Sequence, residues 1–457
     1  MELNSIIERF AEESPTSLMV QGLMTRVFAH QELDELFEAC AQAQYTRALL
    51  FSQVVEVMSL VVCGIQPSVN AAYRRQAKAL GVSRTSVYNK LNGIEPAVSA
   101  AMVRAISGQL STCIEQMGGA LNSWVEGYRV RILDGNCLAG TDHRLQALRP
   151  YAAKALPGKS LVVLEPAMQL VTNVFPCPDG HAQERALFEA VLATVEPQDL
   201  WIADRNMGTL KFLFALHQAA AAFVIRQHGT PSWQPLAALK PIGKMPTGEV
   251  FEQPIRLLYE GQSLNVRRVV VRLNCPTRDG DSEIALLTNL PKTAAGAVAV
   301  AQLYRQRWTI ETLFQVVTEN FEGEIQSLGY PPAALFSFCM ALVAYNLLAT
   351  VKAALRAVHG AGKVETSLSW YYLVEEVQAT HRGMMIVVDP DYWRAWQACS
   401  LPQLADRLLA LAERVNLKTF LKQPRTPKRK KPPLIVDRKH RHVSTHRLLD
   451  KQKASPP

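Results

Sequence analysis

The sequence of 457 residues contains no CxxC pair. Its eight cysteines (Cys40, Cys63, Cys113, Cys137, Cys177, Cys275, Cys339, Cys399) stand singly, so neither a zinc ribbon nor a disulfide framework is indicated. A reducing compartment fits that usage. His143, His181 and His217 show no metal-ligand spacing and read as ordinary surface or core histidines. PGKS at 157–160 lacks the upstream glycine of a phosphate loop, Ala153 standing there, and leads into a strand. The opening MELNSIIERFAEES is acidic and amphipathic, without the basic-then-apolar pattern of a secretory signal, so a cytoplasmic protein is expected. Long apolar runs are scarce as well. The longest, LFSFCMALVAYNLLATV at 335–351, has 17 residues and includes Ser337, Asn346 and Thr350. Standing alone and late in the chain, it reads as a buried helix and not as a membrane span. No internal repeat is present. With 48% hydrophobic and 19% charged residues the chain is an ordinary globular protein, long enough for two to four domains.

Positive charge is concentrated in one place. Residues 418–457 hold 13 Lys/Arg and two Asp, a local +11; the whole chain's +9 therefore leaves −2 for the other 417 residues. The tail, KQPRTPKRKKPPLIVDRKHRH in its centre, is rich in proline and poor in apolar residues, so 416–457 is expected to be disordered. Lys428, Arg429, Lys430 and Lys431 suit a polyanion through counterion release, although a merely solubilising tail has the same composition.

From Ile6 to about Leu121 the periodicity is helical, with helices expected at 35–42, 47–63, 70–80, 84–92 and 97–117. Within this region RRQAKALGVSRTSVYNKLNG, residues 74–93, has the form of a helix-turn-helix. Ala77, Gly81 and Val87 take its small, turn and buried positions, and Ser83 caps the second helix. Arg84, Thr85, Ser86, Asn89 and Lys90 would then be placed to reach bases and phosphates. A plain helical hairpin would share this short pattern.

At Tyr128 the period shortens. YRVRILD reads as a strand stopping at Asp134-Gly135, SLVVLEP and QLVTNVF as a hairpin, and HAQERALFEAVLATV as a helix. LWIAD (200–204) reads as a buried strand, MGTLKFLFALHQ as a helix and AAFVIRQ as another strand. Residues 228–296 form a Pro/Gly-rich, β-rich stretch with strand-like IRLLY, VRRVVVRL and EIALLTNL. In LYRQRWTIETLFQ (303–315), Tyr304, Arg307 and Glu311 fall at i, i+3 and i+7 and share one stripe of a single helix. Leu303, Ile310, Phe314 and Val317 make its buried side.

Asp134 and Asp204 both end strands, where polar groups of α/β sheets face the functional crevice. Taken singly, Asp134 also reads as the start of an Asp-Gly turn, Asp204 as a helix N-cap, and Arg307–Glu311 as an i,i+4 pair. Together, two strand-end aspartates and a helical glutamate can hold two Mg²⁺ ions about 4 Å apart, the arrangement that serves phosphodiester chemistry. Oxygen ligands are what hard divalent cations want.

The strand-end DGN, the later ADRN and the helix Y-x2-R-x3-E resemble the DDE transposases of the insertion sequence 4 family, as do VSRTSVYNKLNG and LGYPPAALFSFCMALVAYNLL. The resemblance covers most of the chain. It implies an RNase H-like catalytic core, a mixed five-stranded sheet with helices interrupted by a β-rich insertion. It also implies Asp134, Asp204 and Glu311 as catalytic metal ligands for Mg²⁺, probably two ions by the family's pattern, with Mn²⁺ as a substitute. Tyr304 and Arg307 would contact phosphates near the cleaved end. The partners implied are double-stranded DNA, as terminal inverted repeats and target, and a second copy of the chain on paired ends, in a bacterial, nucleoid-associated setting without a membrane. The activity implied is cut-and-paste transposition; the alternative is a catalytically inactive, transposase-derived DNA-binding regulator.

The family signature places a lysine where this chain has Thr318, so the cleaved end would meet a hydroxyl in place of a point charge. His143 and Arg144 are candidate replacements. Trp233 and Trp308 could stack on a flipped base, or simply pack. The organisation expected is a helical DNA-binding segment 1–125 containing the 74–93 motif, a core at 126–330 with the insertion 228–296, a helical region 331–415, and the tail 416–457.

Overall fold

A computed structural model describes residues 2–423 apart from 45, 47, 151–153, 230–231 and 278–279. It opens with helices α1 (Glu2–Glu13), α2 (Pro15–Val27), α3 (His30–Cys40), α4 (Phe51–Val62), α5 (Val69–Leu80), α6 (Arg84–Gly93) and α7 (Pro96–Met117). The turn between α5 and α6 follows from its residues. Gly81 takes a left-handed φ of +63°, and the Ser83 hydroxyl accepts from the Ser86 amide at 3.1 Å to cap α6. Val87 and Leu91 are buried behind it.

The strands are β1 (Arg129–Cys137), β2 (Lys159–Glu165), β3 (Leu170–Cys177), β4 (Asp199–Ala203) and β5 (Ala222–Arg226), with short α8 (Phe188–Leu192) and α9 (Leu210–Gln218) between them. Then come β6 (Trp233–Pro235), β7 (Lys240–Met245), β8 (Gly248–Tyr259), β9 (Gln262–Leu273) and β10 (Glu283–Thr288). All ten join one mixed sheet in the order β3-β2-β1-β4-β5-β10-β9-β8-β6, with β7 also on β8. β1, β4 and β5 run parallel; β2, β3 and β10 are antiparallel to their neighbours. The β-rich stretch therefore extends the five-stranded sheet through β10 and is no separate body.

Two departures from the sequence pattern occur here. β1 does not stop at Asp134-Gly135: Asn136 and Cys137 continue to pair with Ser160 and Lys159, because β2 still offers a partner. The helix expected over 181–195 is reduced to a 3₁₀ turn, Glu184–Leu187, and the five residues of α8.

The chain ends in α10 (Ala297–Gln306), α11 (Thr309–Asn320), α12 (Pro331–His359), α13 (Ala361–Ser367), α14 (Trp370–Val387), α15 (Pro390–Gln397) and α16 (Leu401–Arg414). α12 is apolar all round and long enough to cross a membrane, but its most apolar stretch is wholly buried inside the protein. Asn346 fixes it to the sheet edge, exchanging two 2.8 Å hydrogen bonds with the backbone of Val171. Helices from both ends of the chain share one apolar core with one sheet face, including Ile132, Val162, Ile202 and Val224. The opposite face, with Leu133, Val163, Trp201 and Phe223, is covered by α8 and α9. The start of the basic tail is ordered against expectation: Leu417 and Phe420 are buried and Leu421 bridges to Leu368. Lys428, Arg429, Lys430 and Lys431 lie outside the described residues.

Candidate active site

Parallel pairing of β1 with β4 ends at Leu133 opposite Ala203, so Asp134 and Asp204 come next in register, side by side. Strand alternation puts Asp134 on the same face as Ile132, the face that α11 covers. Asp134 Oδ1 accepts from the Gly135 amide at 3.0 Å, and its other oxygen accepts from Arg307 Nη1. Arg307 Nη2 donates in turn to Glu311 Oε1 at 3.1 Å. One guanidinium thus bridges two acids 177 positions apart in sequence, counted from Asp134 to Glu311.

The electrostatics follow from that crowding. Burial pushes the Asp134 carboxyl up to about 6; Arg307 opposes this, while Asp204 and Glu311 add to it. Burial alone would lower the Arg307 guanidinium, but Asp134, Tyr304, Glu311 and Asp204 together hold it above its ordinary value. Tyr304 is buried, which raises its phenol, with its ring 6.0 Å from the Arg307 guanidinium; Trp308, 59% exposed, lies 5.6 Å away. Asp204 caps the turn Arg205–Met207, accepting from the Asn206 amide at 2.6 Å, so its capping and site positions coincide.

The single helix expected to carry Tyr304, Arg307 and Glu311 is broken. Tyr304 ends α10, Arg307 and Trp308 form the joint, and Glu311 lies in the first turn of α11. The apolar spacing continues across the joint, with Leu303, Ile310 and Val317 buried and Phe314 half-buried. The break turns Arg307 into the sheet, where it is 8% exposed. In this state Arg307 is occupied by carboxylates and is not a free phosphate ligand. Thr318 is exposed two turns beyond Glu311.

On α6, Arg84, Thr85, Ser86 and Asn89 are exposed, as the helix-turn-helix pattern requires. Lys90 is not: its ammonium sits 3.8 Å over the Phe37 ring, and burial there lowers its pKa. Arg144 is exposed in the loop after β1 but is paired with Asp142 at 3.0 Å; His143 beside it is half-buried. Trp233 carries Arg268 against its ring at 5.2 Å.

Two residues escaped the sequence reading. Glu184 reaches back to the β1–β4 edge, and Asn206 links it to Asp204. Asn206 stood within ADRN, but nothing local marked Glu184. Among the described residues no three His, Cys, Asp or Glu side chains stand as a ready metal cluster, since Arg307 occupies the space between Asp134 and Glu311. The donor set itself, carboxylates without thiol or imidazole, fits a hard divalent cation.

The chain matches no curated protein. Residues 126–347, the stretch that carries Asp134, Asp204 and Glu311, match the family model of the transposase DDE domain, a likeness that supports a DDE transposase, an enzyme class that depends on a divalent metal.

Proposed function

We propose that the chain is a transposase of the insertion sequence 4 type with an RNase H-like core. It nicks DNA at the ends of its element and joins the released 3′-OH to target DNA by cut and paste, acting at the bacterial nucleoid as a dimer on paired ends. The observation that carries this reading is the convergence of Asp134 and Asp204, adjacent in register, with Glu311 and Arg307 from the α10–α11 joint.

Asp134, Asp204 and Glu311 would hold two Mg²⁺ ions, or Mn²⁺ in their place. When bound, the ions supply charge stabilisation at the phosphate and an activated attacking oxygen. The protein's own part is positioning. Arg307 balances the acids while DNA is absent and, when cations take over that balance, offers its forked donors to a phosphate beside the scissile bond. Tyr304, packed on the guanidinium, limits its swing. Thr318 gives a hydroxyl on the same stripe, and Arg144 with His143 borders the same end of β1. Arg84, Thr85, Ser86 and Asn89 of α6 read the terminal repeat, with Lys90 joining them on release from Phe37. The basic tail adds affinity without sequence preference.

Purified protein, Mg²⁺, a fragment spanning the element's terminus and a supercoiled target test this. Joined products are expected, whereas cutting without joining would reduce the protein to a nuclease.

A further inference from the structure

A fourth acid stands at the same strand ends. Glu184, at the start of the 3₁₀ turn before α8, directs its carboxylate at β1 and at the loop after β4. A Cβ built on Gly135 would lie 2.2 Å from Glu184 Oε1, so only a residue without a side chain lets this carboxylate rest beside Asp134. Glycine in a strand interior is costly, and close approach of another group is a standing reason for it. On the other side, Asn206 Nδ2 is 3.5 Å from Glu184 Oε2, while the Asn206 amide holds Asp204. One residue thus connects Glu184 to the second aspartate.

No cation pairs with Glu184 or with Asp204 among the described residues, and Arg307 is shared by Asp134 and Glu311. One guanidinium therefore faces four carboxylates. Divalent magnesium takes six oxygens, usually only one or two of them carboxylate, so a further acid at the rim can hold the remaining shell. We infer that Glu184 is a fourth acidic member of the site, a positioning residue that strengthens divalent-cation binding at Asp134 and Asp204. The inference rests on the transposase reading of that site.

Mn²⁺ binding to the full-length protein without DNA, followed by the electron-spin signal of the free ion, tests it. Glu184→Gln keeps the size and the polar contact to Asn206 but removes the charge, so a mere tether would be unaffected. About tenfold weaker Mn²⁺ binding is expected, the usual size for an outer-shell partner. Gly135→Ala, which displaces Glu184, should match it, and unchanged melting in EDTA should show that both variants fold. Wild-type affinity in Glu184→Gln, with clear weakening in Asp134→Asn, would overturn the role of Glu184 and leave the site reading intact. Equal binding by wild type, Glu184→Gln and Asp134→Asn, or no binding by wild type, would overturn both.

Discussion

At the start of β1 and β4, Arg129 and Arg131 meet Asp199, Glu196 and Glu165; at the far ends of the same two strands, Asp134, Asp204 and Glu311 meet only Arg307. The first cluster is closed. Arg129 lies 2.7 Å from Asp199 and 2.6 Å from Glu196, and Arg131 lies 3.1 Å from Glu165. Asp199 is fully buried and also accepts from the Glu196 amide at 3.0 Å. Burial lowers the Arg131 guanidinium and raises the Glu165 carboxyl, so pairing offsets only part of the desolvation. The second cluster is open and carries excess negative charge, with Glu311 exposed at its rim and the Asp134 carboxyl held near 6. Similar residue types thus fix the fold at one end and await cations at the other. What separates them is partner count and access, not composition.

Substitution should separate the ends most sharply in catalysis. Asp134→Ala and Asp204→Ala are expected to lower end cleavage about a thousandfold, or ~4 kcal/mol of barrier, with end binding retained in a gel-shift assay. At the closed end the loss should appear in stability. Asp199→Asn strands two buried guanidinium groups and should cost about 3 kcal/mol in urea unfolding, whereas Asp134→Asn, which removes a charge already in excess, should cost under ~1 kcal/mol.

A buried ionisable group outside both clusters gives a reference. Burial pulls His381 down to about 4 from 6.5, with Arg75 adding to the shift. Its folded pKa is depressed, so the unfolded chain takes up the proton first. Stability is then lost as pH falls from about 6.5 towards 4, by about 2 kcal/mol at pH 4.5. The urea midpoint of His381→Gln should fall less than that of wild type over this range. The smallest effect concerns the single cation of the open end. Arg307→Gln should tighten Mn²⁺ binding in the DNA-free protein about fivefold, ~1 kcal/mol, because the ion no longer competes with a guanidinium. Unchanged or weaker binding would show that Arg307 does not occupy the cation's place.

Much of this was legible from local rules. Ser83 and Gly81 announce the α5–α6 turn, and the β-branched runs announce β1, β4, β8 and β9. Both aspartates were found because apolar strands run up to them. What stayed hidden depends on partners distant in sequence. Asp-Gly is a turn signal, yet β2 keeps β1 paired to Cys137. The apolar stripe from Leu303 to Val317 conceals a break at Arg307–Trp308, where neither glycine nor proline stands and Asp134 captures the arginine from 173 positions away. Glu184 carries no local mark, and its role depends on a glycine 49 positions earlier. Lys90 looks like an exposed helix cation until Phe37 from α3 is brought beneath it.

The most direct test is a denaturing gel of a DNA fragment spanning the element's terminus, incubated with Mg²⁺ and wild type, Glu311→Ala or Thr318→Lys. Nicks made by wild type and by Thr318→Lys, and lost in Glu311→Ala, are the result expected of an active open end. Nicking that persists in Glu311→Ala, or that appears only in Thr318→Lys, would contradict it.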